Sequence, residues 1–295
     1  MLTSVRSVCR SHNRSYHFSV IVPSWNNLPY LKLCIKSLRA NSSYAHQLIV
    51  TVNEGSDGTL EWVQSQADID YVYSPQNLGI CYSLNLARTL VKAPYIVYIN
   101  DDMYLLPHWD TEIDREISAM GHDNFLLSCT MIEPHDTHNP CVLIKNFGDT
   151  FQSFDEVGLL AGYEALHKDD WNGSTWPPQV LSVAMWDLIG GLSVEFSPGL
   201  GSEIDFAMKL WKAGVRHFRG IGASKVYHFG SKTTRRFADN TSKELFLKKW
   251  GILPRFFIDA YLRRGTPVNG QLQEPYLTPR DQLRNKIRLI AKALR

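Results

Sequence analysis

The 295-residue sequence predicts an α/β fold built on a mostly parallel sheet, on three observations. Short β-branched runs alternate with segments of helical periodicity through the first third, the pattern of βαβ units. The first run, "FSVIVPSW", is apolar enough to be buried on both faces. Three of the runs end in polar clusters at their carboxyl ends, where such sheets bind ligands.

The elements follow in order. Phe18 to Trp25 reads as the first strand, and "NLPYLKLCIKSLRAN" carries a helical face through Leu28, Leu31, Cys34, Ile35 and Leu38. Leu48 to Val52 is a second strand, followed by a polar Gly-rich loop in which Thr59 can cap the next helix. "DYVYSP" is a third strand, "NLGICYSLNLARTLVKA" a helix loosened at Gly79, and "YIVYI" a fourth strand. "FLLSCTMIE" and "NPCVLIKNFG" read as strands on the far side of the sheet, and "HKDDWNGSTWPP" as a loop. "VLSVAMWDLIGG" is an apolar segment in which Trp186 packs, and "EIDFAMKLWKAG" is a helix that Gly214 ends. His228 closes a short strand.

Composition narrows the function classes. Apolar residues at 44% and charged residues at 20% are ordinary for a soluble globular protein, and a net charge of +2 gives no reason to expect a nucleic-acid partner. Cys9, Cys34, Cys81, Cys129 and Cys141 show no CxxC spacing, which argues for reduced thiols in the cytoplasm and against a zinc site. No apolar run reaches the ~18–20 residues of a membrane span. The N-terminus lacks a signal-peptide core and is expected to fray over residues 1–17. Asn172-Gly173-Ser174 matches a glycosylation sequon by chance.

The polar strand ends are Trp25-Asn26-Asn27, the loop Asn53 to Asp57, and Asn100-Asp101-Asp102. In "YIVYINDDMYLLPHW" a buried strand runs straight into two adjacent carboxylates, which is unfavourable unless positive charge sits between them. Oxygen ligands suit Mg²⁺ or Mn²⁺, which bind through one or two carboxylates plus substrate phosphates. A solvated helix cap is the alternative use of such a pair.

In order and spacing, these segments resemble glycosyltransferase family 2, with its GT-A fold, over roughly residues 18–234. "FSVIVPSWNN" is similar to the family's opening strand, with Trp25 where a tyrosine is usual. "VNEGSDGT", "NLGICYSLNLA", "YINDDMYLLPHW" and "FSPGLGSEIDFAMKLWKAG" resemble the nucleotide loop, the Asn-x-Gly helix start, the DxD segment and the acceptor-side segment. The resemblance implies a GT-A type, Rossmann-like mixed sheet, flanked by helices. It would span 18–250, with a nucleotide-binding half at 18–110 and an acceptor-binding half at 111–250. A C-terminal helical extension would follow at 251–295.

Implied roles follow by position. Pro23, Ser24, Trp25 and Asn26 would line the base pocket, with Glu54 near the base or ribose and Asn53 in place of the usual Asp. Asn77 and Gly79 would approach the nucleotide and sugar, and Asp101 the ribose or sugar. Asp102 takes the last acid of DxD and leads the metal ligands; Asn100 takes the first, a departure; His228, in "HFGSKTT", adds a ligand or touches the diphosphate. Glu203 takes the place of the catalytic base, with Ser202 where the family has Glu and Asp205 as the fallback base. Lys232, Arg235 and Arg236 could close over the diphosphate. Trp171 and Trp176 could stack on acceptor sugars or fill the core, while Asp169 and Asp170 read as solvated.

The implied reaction is inverting, metal-dependent transfer from a nucleoside-diphosphate sugar, UDP being the family's common nucleotide, to a glycan or lipid-linked acceptor. Polysaccharide or glycoconjugate synthesis is the expected setting. "PRDQLRNKIRLIAKALR" forms a basic amphipathic helix that could lie on the inner face of a membrane or dock on protein. Two other readings stand: a catalytically inactive nucleotide-sugar-binding scaffold, which Asn100 would suit, and a nucleotidyltransferase, whose Gly-rich loop is absent at "PSWNN".

Overall fold

The computed structural model describes residues 4–10, 15–230, 241–276, 278–280, 283 and 287. The chain order is β1 (Arg6–Val8), β2 (Phe18–Trp25), α1 (Leu28–Asn41), β3 (Gln47–Asn53), α2 (Thr59–Ser65), β4 (Ile69–Ser74) and α3 (Gly79–Ala87). It continues with β5 (Tyr95–Tyr98), β6 (Met103–Leu105), α4 (Trp109–Met120), β7 (Phe125–Glu133), β8 (Leu143–Ile144), α5 (Glu156–Gly162), β9 (Trp171–Asn172) and β10 (Gln179–Ser182). Then follow α6 (Val183–Ile189), α7 (Ser202–Lys212), β11 (His217–His228) and α8 (Ser242–Trp250).

Among the described residues all eleven strands join one mixed sheet, in the order β1-β4-β3-β2-β5-β10-β7-β11-β6, with β8 beside β7 and β9 beside β11. Strands β2 to β5 are mutually parallel, and β7 is parallel to β11. Strand β10 is antiparallel to both β5 and β7, so these two run the same way. The carboxyl ends of β2, β3, β4, β5, β7 and β11 therefore share one edge.

Both faces are covered, so β2 is buried from Phe18 to Ser24. Phe18, Val20 and Val22 pack with α1, α2 and α4 on one face; Ile21 packs with α3, α6 and α7 on the other. Helix α7 buries Phe206, Leu210 and Trp211 there, each contributing about 1.5–3 kcal/mol. A third, aromatic cluster of Tyr30, Tyr104, Tyr227 and Phe229 lies near the carboxyl edge.

Several local expectations are corrected. Strand β7 is interior, between β10 and β11, and of "NPCVLIKNFG" only Leu143–Ile144 is strand. The 167–178 loop contributes β9, which a two-residue strand cannot announce by periodicity. Thr59 does not cap α2: the N-cap is the left-handed Gly58, and Asp57 before it accepts from the Thr59 amide and hydroxyl, while its other oxygen accepts from the Leu28 amide at 2.8 Å. Within the N-terminal segment expected to fray, Arg6–Val8 pairs with β4. Phe257, Tyr261, Leu262 and Leu272 belong to the main core, so the chain beyond 250 is packed into the domain as far as Leu272. Four of the five cysteines are buried free thiols, and Cys9 is exposed. Among the described residues no helix is long and apolar enough to cross a membrane. The C-terminal amphipathic helix, beyond Leu283 and Ile287, lies outside the described residues.

Candidate active site

The ends of β2, β3 and β4 are tied together by the polar residues that close them. Asn26 and Glu54 both adopt left-handed backbone, at φ 48° and 62°, and face each other across the two strands. Nδ2 of Asn26 donates to Oε2 of Glu54 at 3.0 Å, and Oδ1 accepts from the Ser56 amide at 2.9 Å. The Glu54 amide donates to the Ser74 carbonyl. Asn53 accepts from the Leu78 amide and donates to the Ser83 hydroxyl, both at 3.0 Å. Asn77 accepts from the Gly79 amide at 2.9 Å and so starts α3. Pro23 and Ser24 are buried in β2; Trp25 is half-buried at its end.

The second group of strand ends holds the ionisable cluster. Asp101, Asp102, Glu133 and His228 are 5%, 3%, 6% and 5% exposed, so solvent does little to screen them. Asn27 donates to Asp101 at 3.0 Å. Because β6 pairs with the end of β11, Asp102 is brought beside His228, with Oδ1 3.5 Å from Nε2. The other ring nitrogen, Nδ1, lies 2.7 Å from Oε1 of Glu133. Burial alone would lower the His228 pKa; the charges and hydrogen bonds of Asp102 and Glu133 outweigh it and raise the group to about 10. The Asn100 side-chain oxygen accepts from the Tyr98 hydroxyl at 3.2 Å.

The donors suit a divalent ion. Two adjacent ligands about 2.1 Å from an ion are about 3 Å apart, close to the Asp102–His228 separation. Among the described residues no group of three or more His, Cys, Asp or Glu side chains forms a metal cage. Two protein donors suit an ion that takes its remaining ligands from diphosphate and water.

Glu203 stands in the first turn of α7, which the left-handed Gly201 initiates. Burial raises its carboxyl to about 7, against a backbone hydrogen bond that lowers it. Burial pushes up the Tyr98 hydroxyl, and carries the Cys81 thiol to about 12; the Glu203 charge adds to both shifts. Asp205 sits two residues on but is fully buried, accepting from Ser193 Oγ at 2.6 Å, Trp250 Nε1 at 2.7 Å and Lys249. With both oxygens engaged, Asp205 joins α7 to α8 rather than standing ready to take a proton.

Trp171 and Trp176 are not brought to this edge. Trp171 is 2% exposed, donates to Thr130 Oγ1 and stacks on Trp176 with ring centroids 5.3 Å apart. It pairs with Gly220, which lies opposite Ser128, about 17 Å along β7 from Glu133. Trp171 fills the core and the partly buried Trp176 packs against it, the second of the two uses the sequence left open. Asp170 accepts from the Gly222 amide at 2.7 Å, and Trp186 packs on Phe206. Lys232, Arg235 and Arg236 lie outside the described residues. Sequence reading missed Glu133, although "FLLSCTMIE" carries the same signal as the Asp pair: a carboxylate ending a buried strand.

The family described as Glycosyl transferase family 2 matches residues 19–167. The chain is similar to the chondroitin synthase of Pasteurella multocida (strain Pm70), 23% identical over 234 residues, covering 78% of this chain and 22% of that protein. It is similar to the hyaluronan synthase of Pasteurella multocida, 24% identical over 245 residues, covering 81% and 22%. The chain thus spans about a fifth of the length of these relatives. Among solved structures, S. aureus TarS 1–349 in complex with UDP-GlcNAc aligns with a TM-score of 0.51 at 14% identity, covering 73% of this chain and 61% of that one. GalNAc-T7 with UDP, GalNAc and Mn²⁺ aligns with a TM-score of 0.55 at 9% identity, covering 74% and 44%. At these identities the likeness is one of fold, the GT-A arrangement.

Proposed function

The chain belongs to glycosyl transferase family 2, and from that premise we propose that it moves a sugar from a nucleoside-diphosphate sugar to an acceptor hydroxyl, with inversion at the anomeric carbon. The observation that carries this reading is the gathering of the Asn26–Glu54 pair and the Asp102–His228 pair on the carboxyl edge of one sheet, to which we add Glu203 at the start of α7 as the base.

Asn26 and Glu54 offer an amide and a carboxylate to the nucleoside, above a floor made by Pro23, Ser24 and Trp25. The left-handed turn at Gly79 brings backbone close to the donor sugar. Asp102 and His228 hold Mn²⁺ or Mg²⁺, which, when bound, supplies positive charge to the departing diphosphate. Glu203 as carboxylate takes the proton from the acceptor hydroxyl while that oxygen bonds to the anomeric carbon and the bond to the diphosphate breaks. A base with a pKa of about 7 is matched to this task at neutral pH. Asp205 keeps the base in position by fixing α7 against α8.

The solved neighbours bound to UDP and UDP-GlcNAc support a UDP-sugar donor, and the GalNAc-T7 complex supports Mn²⁺. The names chondroitin synthase and hyaluronan synthase support a glycan acceptor in polysaccharide synthesis. The test is incubation with a panel of UDP-sugars, Mn²⁺ and oligosaccharide acceptors, with the anomeric configuration of the product read by NMR. Transfer from an α-linked donor to a β-linked product is expected. An α-linked product, or nucleotide binding without turnover of any donor, contradicts the reading, the latter in favour of an inactive scaffold.

A further inference from the structure

We infer that Glu133 is a positioning residue that sets which nitrogen His228 offers to the metal ion; this rests on the metal reading proposed above. Glu133 ends β7 and His228 ends β11, each following the paired residues Ile132 and Tyr227 of these parallel strands. Oε1 of Glu133 accepts from Nδ1 of His228 at 2.7 Å. Oε2 accepts from Thr137 Oγ1 at 3.1 Å, and the Glu133 carbonyl accepts from the Lys145 amide at 3.0 Å. Both carboxylate oxygens are thus engaged, and Asp102 lies toward the opposite nitrogen of the ring. Glu133 reaches the ion through the imidazole and not as a ligand.

The consequence is one of tautomers. A neutral imidazole has one donor and one acceptor nitrogen, and an ionised carboxylate can only accept. In the ion-free protein the ring faces a carboxylate at each nitrogen; when an ion takes Nε2, the nitrogen 3.5 Å from Asp102, the proton there is released and Glu133 keeps the other on Nδ1. Without Glu133 a neutral ring is free to keep its one proton on Nε2 rather than Nδ1. There it donates to Asp102, and the two metal ligands satisfy each other instead of the ion. The burial of both groups leaves little room for water to replace the carboxylate.

The test titrates Mn²⁺ into the full chain in the presence of UDP, with free Mn²⁺ read by electron paramagnetic resonance. Wild type is compared with Glu133→Ala, Glu133→Gln and His228→Ala, and thermal melts confirm folding. Glu133→Ala is expected to weaken Mn²⁺ binding by about 10- to 100-fold. Glu133→Gln, whose amide oxygen still accepts from Nδ1, retains most of the affinity. If folded Glu133→Ala binds Mn²⁺ as wild type does while His228→Ala does not, the inference is overturned and the metal reading survives. If His228→Ala also binds normally, both are overturned. Equal loss in the Gln and Ala variants overturns the tautomer argument in favour of charge alone. Should Glu133→Ala not fold, ¹⁵N NMR of the Mg²⁺- and UDP-loaded wild type decides: a proton on Nδ1 of His228 is expected, and one on Nε2 overturns the inference.

Discussion

At the scale of single residues, the desolvation that raises Glu203 to about 7 links its chemistry to the stability of the fold. The unfolded chain releases this proton near the ordinary 4.5, so between pH 4.5 and 7 the folded state binds more protons than the unfolded one. Stability tied to the neutral carboxyl is therefore present below pH 4.5 and lost as pH rises through 7, by up to about 3 kcal/mol. Catalysis has the opposite sign, because only the carboxylate accepts a proton. Glu203→Gln is expected to melt higher than wild type at pH 8, with the advantage vanishing toward pH 4.5. It should also lower kcat by about 10²–10⁴-fold and abolish the acidic limb near pH 7. Paired melting curves and pH–rate profiles check both parts; a Gln variant with wild-type turnover removes Glu203 from the reaction. Asp205, equally acidic in sequence, has a different fate because Ser193, Lys249 and Trp250 occupy its oxygens. Those partners lie 12, 44 and 45 residues away, beyond what local spacing can convey.

At the scale of elements, the site depends on how closely α3 approaches the loop that leads into α7. Gly79 has φ +73°, and a Cβ there would stand 2.6 Å from Cα and 2.7 Å from the carbonyl oxygen of Pro198. The neighbouring Ile80 amide donates to that same carbonyl at 2.8 Å. Gly79→Ala thus combines left-handed strain with a backbone clash, an expected loss of about 2–4 kcal/mol. It should also reduce kcat, because the displaced loop carries Gly201 and Glu203; a melt and a turnover assay test the two effects separately. The strands β2 to β5 and β7, and the helices α1, α3 and α7, are legible in the sequence because each is apolar and bounded by turn residues. Strands β8 and β9 are not, having two residues each. The segment "VLSVAMWDLIGG" conceals the end of a strand and a helix, since β10 and α6 abut at Ser182, whose hydroxyl accepts from the Met185 amide and caps the helix.

At the scale of the molecule, the sheet acts as a sorting device. Polar residues that end parallel strands are gathered on one edge, which is why the sequence alone suffices to group Asn26, Glu54, Asp102 and His228. Tryptophans carry no such address: Trp171 and Trp176 occupy a suggestive loop in the sequence, yet register alone places Trp171 about 17 Å from the ionisable cluster. Glu133 ends a buried strand and so carries the same address; what the sequence does not convey is its pairing with His228, 95 residues away. The central claim is that the acid-rich end of β5 becomes complete on binding an ion and a diphosphate. Calorimetric titration of UDP into wild type and Asp102→Ala, each with and without Mn²⁺, tests it most directly. UDP is expected to bind wild type only when Mn²⁺ is present and not to bind folded Asp102→Ala in either condition. UDP binding that is indifferent both to Mn²⁺ and to Asp102→Ala would contradict it.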